Sequence, residues 1–591
     1  MPKAIAVTEP NRQEMATYLA RAEKLVIDER EASRRRIYGI WSKPIPDRVA
    51  SGHAIEGLEI SKAAADNRIH LTCGRNQSRF REGDILCLNK GDPFSQPRLM
   101  VTLDEDHGTK LVVSPYDRDL PWGDIHREQE NWTLDEGYMD LSQYFLDALH
   151  EVGETSIGRE RLLPFLMGYI HAVIDTARME RGLTHGDAAG LDWSQSEALA
   201  LAYGTDSVYL IQGPPGTGKT RVLAHLAELL AEEGERVLVT TFTHRAINNA
   251  LNLLTDVAPL TPAIKIGHPS RTDDLNVECY GNFDSSPMAA MSGGYVIGAT
   301  PFATRTQRLS GVEFDTVIFD EASQITVPLA VMAMLSAKKY IFIGDQKQLP
   351  PVLVSNPPGE AFQHSIFGEL TDHGFDTMLR ETYRLNDVLV EWPNQQFYSG
   401  QLRPVEWVAT RRISYPHKPT RFMDALRPDR PKIFLDMGHR NTTTRSVIEA
   451  NIIVDLIVTL VDCGVAAKEI GIVTPFRAQA REIRTLLSLA VKNERARRDI
   501  VIDTVERMQG QERDLIILSL TTSNPSFALG LADFFFQPER LNVAVTRARS
   551  KLIIVGSTHL FHAKPEEPEL QQAIALLEDL VKSCDYLAPE R

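Results

Sequence analysis

Ile211-Gln212-Gly213-Pro214-Pro215-Gly216-Thr217-Gly218-Lys219-Thr220 decides the fold. The stretch fits G-x-x-x-x-G-K-[ST], the loop that holds the phosphates of a nucleoside triphosphate. Ahead of it, Ser207-Val208-Tyr209-Leu210-Ile211 reads as a buried strand, and behind it Arg221 to Ala231 reads as a helix rich in Leu and Ala. In that strand, turn and helix context, Gly213, Pro214, Pro215, Gly216, Thr217 and Gly218 form a cradle. Its backbone N–H groups and the positive end of the helix face the phosphates. Lys219 reaches the β- and γ-phosphates as a point charge, and the Thr220 hydroxyl sits on Mg²⁺. The pattern therefore predicts binding of ATP or GTP.

Further along, Val317-Ile318-Phe319-Asp320-Glu321-Ala322 is an apolar strand ending in two carboxylates. A buried strand that delivers Asp320 to its C-terminal edge suits a Walker B site, with Asp320 holding Mg²⁺ through water. Glu321 is placed to orient the attacking water and take its proton. Ile343-Gly344-Asp345-Gln346-Lys347-Gln348-Leu349-Pro350-Pro351 follows another apolar strand, and its Gln348 is a neutral donor suited to sensing the γ-phosphate. Two later segments carry arginines: Leu379-Arg380-Glu381-Thr382-Tyr383-Arg384-Leu385, and Arg540-Leu541-Asn542-Val543-Ala544-Val545-Thr546-Arg547-Ala548-Arg549. An arginine reaching the γ-phosphate from a second domain stabilises transition-state charge, worth about 10³–10⁵ in rate.

Around these motifs the chain alternates apolar strands with helices. The strands are Val237–Val239, Tyr295–Ile297, Thr316–Phe319 and Tyr340–Ile343, then Ile433–Leu435, Gly471–Val473, Leu515–Leu518 and Leu552–Val555. Alternation of this type predicts an α/β fold with parallel sheets covered on both faces. Upstream, apolar residues three to four apart from Glu14 to Ile37 predict an amphipathic helix. Its end carries Arg30, Arg34, Arg35 and Arg36, read either as a solvated basic end or as a nucleic-acid or domain contact. Arg68–Cys73, Ile85–Leu88, Leu99–Leu103 and Lys110–Val113 predict short strands of a small barrel or sandwich. Leu141 to Arg178 reads as helical, and Pro568 to Lys582 as a terminal helix. The expected boundaries are a helical stalk at 1–45, a small β-barrel at 46–120 and a helical connector at 121–190. A first α/β domain at 191–376, a second at 377–560 and a C-terminal helix at 561–591 follow.

Composition bounds the rest. The 591 residues, 43% hydrophobic and 24% charged, are those of a globular chain. Sixty-four Lys and Arg against 79 Asp and Glu give a net charge of −15, which argues against a protein coated in nucleic acid but leaves room for a local basic channel. Five scattered cysteines with no CxxC or Cys/His spacing predict neither a disulfide framework nor a structural zinc. The start, Met1 to Thr8, lacks a long apolar segment, and no apolar run approaches ~18 residues, so no membrane is expected and a cytoplasmic setting is.

The collinear order of GPPGTGKT, DEAS, GDQKQLPP, TYR, TPFRAQ, DTVERMQGQE and RLNVAVTRAR resembles superfamily 1 helicases of the branch that moves five-prime to three-prime. Within it the chain looks most like the group of the nonsense-mediated-decay RNA helicase, senataxin and the immunoglobulin-mu-binding-protein helicase. The likeness runs from about Leu191 to Gly556. It implies two tandem RecA-like domains, with the upstream helix and barrel similar in placement to the stalk and barrel of that group. That upstream likeness rests on segments such as Ser78-Arg79-Phe80-Arg81-Glu82-Gly83-Asp84.

The resemblance also implies roles. Gln195 would read the adenine edge, favouring ATP, and Tyr383 would stack on the base. Arg384 and Arg547 would be the arginine fingers. Gly510 and Glu512 would couple nucleotide state to a groove lined by Thr243, His244, Thr300, Pro301, Thr474, Pro475, Arg477 and Thr504. Such residues contact phosphates and sugars, so binding to single-stranded or tailed nucleic acid, DNA or RNA, would lack sequence preference and depend on salt. Phe242 and Phe476 are read either as base-stacking or as core residues.

The implied activity is ATP-driven translocation with unwinding. The alternative is an ATP-switched clamp that displaces proteins with little unwinding, and any protein loading partner is unknown. The chain departs from the family at Thr382, where Gln is usual, and at Glu506 and Met508, which replace a common Asp and Phe. It is also short between His268 and Tyr295, where larger relatives carry a helical insertion. No zinc-rich regulatory domain and no attached nuclease motif are expected.

Overall fold

The computed structural model describes residues 10–63, 68–76, 78–80, 83–116, 129–169, 171–268, 274–355, 365–371, 373–562 and 564–588. The expectation about Met1 to Thr8 and two residues of the barrel signal, Arg81 and Glu82, lie outside the described residues.

Helix α1 (Arg12–Trp41) opens on a capping box: Asn11 Oδ1 accepts from the Gln13 and Glu14 N–H groups, and Glu14 Oε2 accepts from the Asn11 N–H. Its buried stripe begins with Ala22, Leu25 and Val26 and ends with Ile37, Ile40 and Trp41. The first group packs toward α2 (Ser142–Glu154), the second toward the barrel. The helix outruns the predicted end at Ile37 because Trp41 docks the barrel. The Trp41 indole donates to the Glu136 carbonyl at 2.8 Å, and its ring lies 5.4 Å from Phe94. The basic helix end belongs to the same contact: Arg36 pairs with Glu136 at 2.7 Å, and Arg34 with Glu31 on its own helix.

Six antiparallel strands close the barrel in the order β1-β2-β5-β4-β3-β6. They are β1 (Ala54–Ala63), β2 (Ile69–Thr72), β3 (Ile85–Asn89), β4 (Arg98–Asp106), β5 (Lys110–Pro115) and β6 (Trp132–Glu136). Leu58, Ile69, Leu86, Leu88, Val101, Val113, Trp132 and Leu134 fill it. Strands β1 and β6 were not among the four predicted, since Glu56 and Glu59 break the apolar pattern of β1 and β6 ends in Asp135-Glu136. Asp135 is buried on an ion pair with Arg48 and a 2.9 Å bond from Asn89.

The stretch expected to be helical from Leu141 breaks after α2 into a π turn at Gly158–Leu162 and a single turn at Leu163–Leu166. Then come α3 (Thr176–Ala188), α4 (Trp193–Gly204) and α5 (Lys219–Glu232).

The first RecA-like sheet is wholly parallel, in the order β10-β9-β11-β8-β12-β13-β7-β14. Its strands are β7 (Val208–Gln212), β8 (Arg236–Thr240), β9 (Ala263–Ile266), β10 (Cys279–Tyr280), β11 (Tyr295–Gly298), β12 (Thr316–Phe319), β13 (Lys339–Gly344) and β14 (Asp376–Met378). Because β14 pairs with β7, the first domain runs past the boundary drawn at residue 376. The Leu379 N–H still donates to the Gln212 carbonyl, at 2.8 Å.

A short pair, β15 (Glu381–Thr382) with β16 (Arg403–Pro404), precedes the second sheet. That sheet is also parallel, in the order β19-β18-β20-β21-β17-β22. It comprises β17 (Lys432–Asp436), β18 (Ile470–Thr474), β19 (Val501–Thr504), β20 (Arg513–Ser519), β21 (Ala548–Gly556) and β22 (Asp585–Leu587). The terminal helix Pro568–Lys582 packs on this domain and leads into β22, so residues 564–588 are part of the second domain rather than an appendage. No described helix is long and apolar enough to cross a membrane.

Candidate functional site

The site is built where parallel strands of the first sheet end, the edge at which open α/β sheets receive ligands. Strand β7 delivers the glycine-rich loop. Gly216 and Gly218 have φ of +74° and +78°, a region that costs glycine nothing. Space adds a second constraint. A Cβ on Gly216 would strike Thr382 and Arg384, and one on Gly218 would lie 2.5 Å from Gln195 Nε2. The loop is tied to β13 by the Gly213 N–H on the Gly344 carbonyl at 2.8 Å. Lys219, at the start of α5, folds back so that Nζ donates to the Gly213 carbonyl at 2.7 Å.

Strand β12 delivers Asp320, which is 5% exposed. Burial first, and then the charge of Glu321, push its carboxyl up, against the pull of Lys219. Glu321 itself sits at φ +50°, a left-handed backbone that costs a non-glycine residue roughly 1–3 kcal/mol and marks a position held by its surroundings. Thr220 and Asp320 offer hard oxygen donors, and a buried carboxyl crowded by a second one is the electrostatic situation a cation relieves. The residues present therefore fit Mg²⁺.

Strand β13 delivers Asp345 and Gln348, both buried. Gln348 Nε2 donates to Asp345 Oδ2 at 2.8 Å, which fixes the amide with its oxygen turned toward the second domain.

The second domain closes on this loop. The Thr382 hydroxyl donates to the Pro215 carbonyl and the Tyr383 N–H to the Gly216 carbonyl, both at 2.8 Å. Arg384 Nε donates to Glu512 Oε2 at 2.6 Å and Nη1 to the Thr546 carbonyl at 3.2 Å. Arg547 is 2% exposed; its Nε donates to the Val543 carbonyl at 2.9 Å, and Nη2 reaches Thr546 Oγ1 at 3.1 Å and Gln348 Oε1 at 3.4 Å. Burial, with Arg384 beside it, lowers the Arg547 guanidinium to about 9. Gln509 Nε2 lies 3.5 Å from Glu321 Oε2, and Gly510, φ +73°, turns the chain between Gln509 and Glu512.

Gln195 and Tyr383 are at the loop, engaged with protein groups. Gln195 is buried; its Nε2 donates to the Thr217 carbonyl at 2.9 Å, and its Oε1 accepts from the Asp192 N–H in the capping box of α4. The Tyr383 hydroxyl donates to Asp192 Oδ2 at 3.0 Å.

Three contributors had no role in the sequence reading. The Tyr398 hydroxyl donates to Asp345 Oδ2 at 2.8 Å, and Asn542 Nδ2 donates to Tyr398 Oη and to the Lys347 carbonyl, each at 2.7 Å. Asp345 and Asn542 stood inside the quoted motifs without a stated task. Tyr398 lies in no motif, and only the tertiary fold reveals it.

The expected groove residues lie near strand ends with unequal access. Thr243, three residues past β8, and Arg477, three past β18, are exposed; Thr300, past β11, and His244 are half-buried; Pro301, Thr474, Pro475 and Thr504 are buried. Thr474 is held inside the second domain, its Oγ1 3.1 Å from Thr521 Oγ1. Beneath it lies a buried network in which His439 Nε2 meets Glu449 Oε1 at 2.6 Å. The two aromatic candidates separate. Phe242 is 58% exposed, whereas Phe476 packs among Phe527, Phe534 and Phe535 with ring centroids 6.0 Å away. For Phe476 the stacking alternative is replaced by core packing.

Fold and loop geometry together define a P-loop protein of two RecA-like domains. Residues 195–354 and residues 362–559 match two family models, each described as an AAA domain. The mouse DNA replication ATP-dependent helicase/nuclease DNA2 is 29% identical over 404 residues, covering 62% of this chain and 37% of that protein. The DNA polymerase alpha-associated DNA helicase A of Schizosaccharomyces pombe is 28% identical over 438 residues, covering 62% and 64%. By these relatives and its collinear motifs, the chain is similar to superfamily 1 helicases. It matches less than two thirds of the length of either relative. A solved structure of Arterivirus nonstructural protein 10 (helicase) is 14% identical, covers 90% of this chain and 82% of its own, and has a TM-score of 0.37, too low to bear on the assignment.

Proposed function

We propose that the chain hydrolyses ATP between its two RecA-like domains and uses the cycle to move five-prime to three-prime along single-stranded nucleic acid, separating duplexes. The observation that carries this is the meeting of Arg384 and Arg547, from the second domain, with Gly216 and Gln348 of the first.

In this reading Lys219 leaves the Gly213 carbonyl for the β- and γ-phosphates, an exchange of one acceptor for a more strongly charged one. Glu321 accepts a proton from the attacking water, and Gln348 orients that water or the γ-phosphate. Arg547 and Arg384 meet the charge that develops on the transferred phosphoryl group. Thr220 and Asp320 would hold Mg²⁺, which when bound neutralises charge between the β- and γ-phosphate oxygens. Once the terminal phosphate leaves, the two arginines lose their shared ligand, so the closed state is favoured by ATP and disfavoured after hydrolysis.

DNA is the substrate we favour, because one relative is named a DNA helicase and the other a DNA replication helicase/nuclease. The barrel and stalk ahead of the first RecA-like domain support a place beside the group of the nonsense-mediated-decay RNA helicase, senataxin and the immunoglobulin-mu-binding-protein helicase. ATPase stimulation by matched single-stranded DNA and RNA over a salt series tests the reading. DNA should stimulate more, with an effect that falls steeply as salt rises. Turnover indifferent to any polynucleotide would overturn it.

A protein-displacing clamp remains the second reading, favoured by the segment before Tyr295. Among its described residues there are only a two-residue strand and a short turn at Pro287–Ala290. Failure to displace the strand of a tailed duplex, with ATPase intact, would select it.

A further inference from the structure

Away from the nucleotide loop, three side chains from two helices converge. His185 is near the end of α3, and His225 and Glu228 share one face of α5, three residues apart. His185 Nε2 lies 3.3 Å from His225 Nδ1 and 3.2 Å from Glu228 Oε2, and His225 Nδ1 lies 3.0 Å from the same oxygen. All three atoms are therefore mutual neighbours.

With Glu228 a carboxylate, both ring nitrogens can donate to Oε2, which accounts for two edges of the triangle. With both nitrogens unprotonated, the same three atoms instead offer a cation three lone pairs from atoms no more than 3.3 Å apart. Tetrahedral zinc, with bonds of about 2.0–2.2 Å to nitrogen and oxygen, sets its ligand atoms about 3.3–3.6 Å apart. The observed edges match within the few tenths of an ångström that binding would adjust.

We propose that His185, His225 and Glu228 form a zinc site that pins α5, the helix beginning at Lys219, to α3. Two imidazoles and one carboxylate suit Zn²⁺ and disfavour Mg²⁺ or Ca²⁺, which take oxygen ligands. The side chains of Glu228 and His185 are 16% and 22% exposed, so an ion can reach them from solvent. The expectation of no structural zinc rested on Cys/His spacing along the chain. This trio escapes that test because its two histidines stand 40 residues apart and meet only when the helices pack.

The test uses the full-length chain stripped of metal, with Zn²⁺ and its spectroscopic substitute Co²⁺ as probes. Wild type should take up one Zn²⁺ in competition with a chromophoric chelator, show the visible ligand-field band of tetrahedral Co²⁺, and melt at higher temperature with zinc than without. His185→Gln removes a part-exposed ligand and should fold. It should lose the Co²⁺ band and bind Zn²⁺ more weakly by at least the ~10–100-fold that loss of an outer-sphere partner costs. Glu228→Gln should behave likewise. Equal zinc uptake by wild type and both variants would overturn the proposal, as would a wild type that takes up no zinc from the chelator; either result leaves the ATP site reading intact.

Discussion

Gln348 and Arg547 face each other across the interdomain cleft, the guanidinium Nη2 3.4 Å from the amide oxygen. Each is held from behind: Gln348 by Asp345, Arg547 by the Val543 carbonyl. The pair therefore joins two pre-aimed groups rather than two mobile surface chains. Arg547→Ala should leave ATP binding largely intact and lower kcat by about 10³-fold or more. Arg547→Lys, which keeps a charge but not the fork, should rescue little. Nucleotide titration beside steady-state kinetics checks both, and an unchanged kcat would remove the finger from the model.

Lys219→Ala should abolish hydrolysis. The ammonium contacts the Gly213 carbonyl, and its charge bears on both Asp320 and Asp345. Its removal takes away the phosphate counter-charge and leaves two buried carboxylates less compensated. A turnover assay on the purified variant suffices, and normal turnover would refute the assigned loop.

Tyr398 gives a finer test of how the domains are joined. Its hydroxyl links Asp345 to Asn542, so Tyr398→Phe leaves a buried carboxylate and a buried amide each short of a partner. A loss of about 1–3 kcal/mol in denaturant unfolding is expected. ATP turnover should fall as well, because Asp345 is what orients Gln348. Stability and turnover both at wild-type values would show that the network is dispensable.

The parts legible in the sequence were those in which one residue type does one job. The central strands read clearly because Val, Ile and Phe run unbroken through Val317–Phe319 and Tyr340–Ile343, both faces being buried. Edge and short strands did not: Asp376–Met378 and Asp585–Leu587 have too few apolar residues to announce themselves, and pairing with a neighbour defines them. Phosphate-loop residues were legible because glycine and lysine at fixed spacing have few other uses. Tyr398 and the buried Glu449 were not, since Asp345 and the Ser519 hydroxyl and Thr521 N–H that meet them lie far away in sequence.

The two aromatic candidates for base contact now differ in expectation. Phe242→Ala should weaken single-strand binding by about 1–3 kcal/mol with little change in unfolding, as an exposed stacking platform would. Phe476→Ala should cost about 3–5 kcal/mol of stability through the cavity left among three phenylalanines. Fluorescence anisotropy with a labelled oligonucleotide, paired with denaturant melts, separates the two. Binding loss on Phe476→Ala without destabilisation would reverse the assignment.

The stalk and barrel should be joined by a pH-dependent contact. Burial alone would raise the Glu136 carboxyl, but the hydrogen bond from His53 and the charges of Arg36 and Arg79 outweigh it and hold it at about 2, against an ordinary 4.5. A folded value below the unfolded one means the fold favours the carboxylate. Its contribution is complete above the unfolded value, erodes as pH falls below 4.5, and is gone once pH drops through about 2. With the side chain 22% exposed, the contribution near neutral pH is of order 1–3 kcal/mol. Glu136→Gln should therefore destabilise the protein at pH 7, and the gap from wild type should shrink to about half or less near pH 3. Urea melts of both proteins from pH 7 down to 3 measure that gap directly. A gap that stayed constant across the series would show that the destabilisation does not come from the ionised carboxylate, and that charge does not hold the stalk to the barrel.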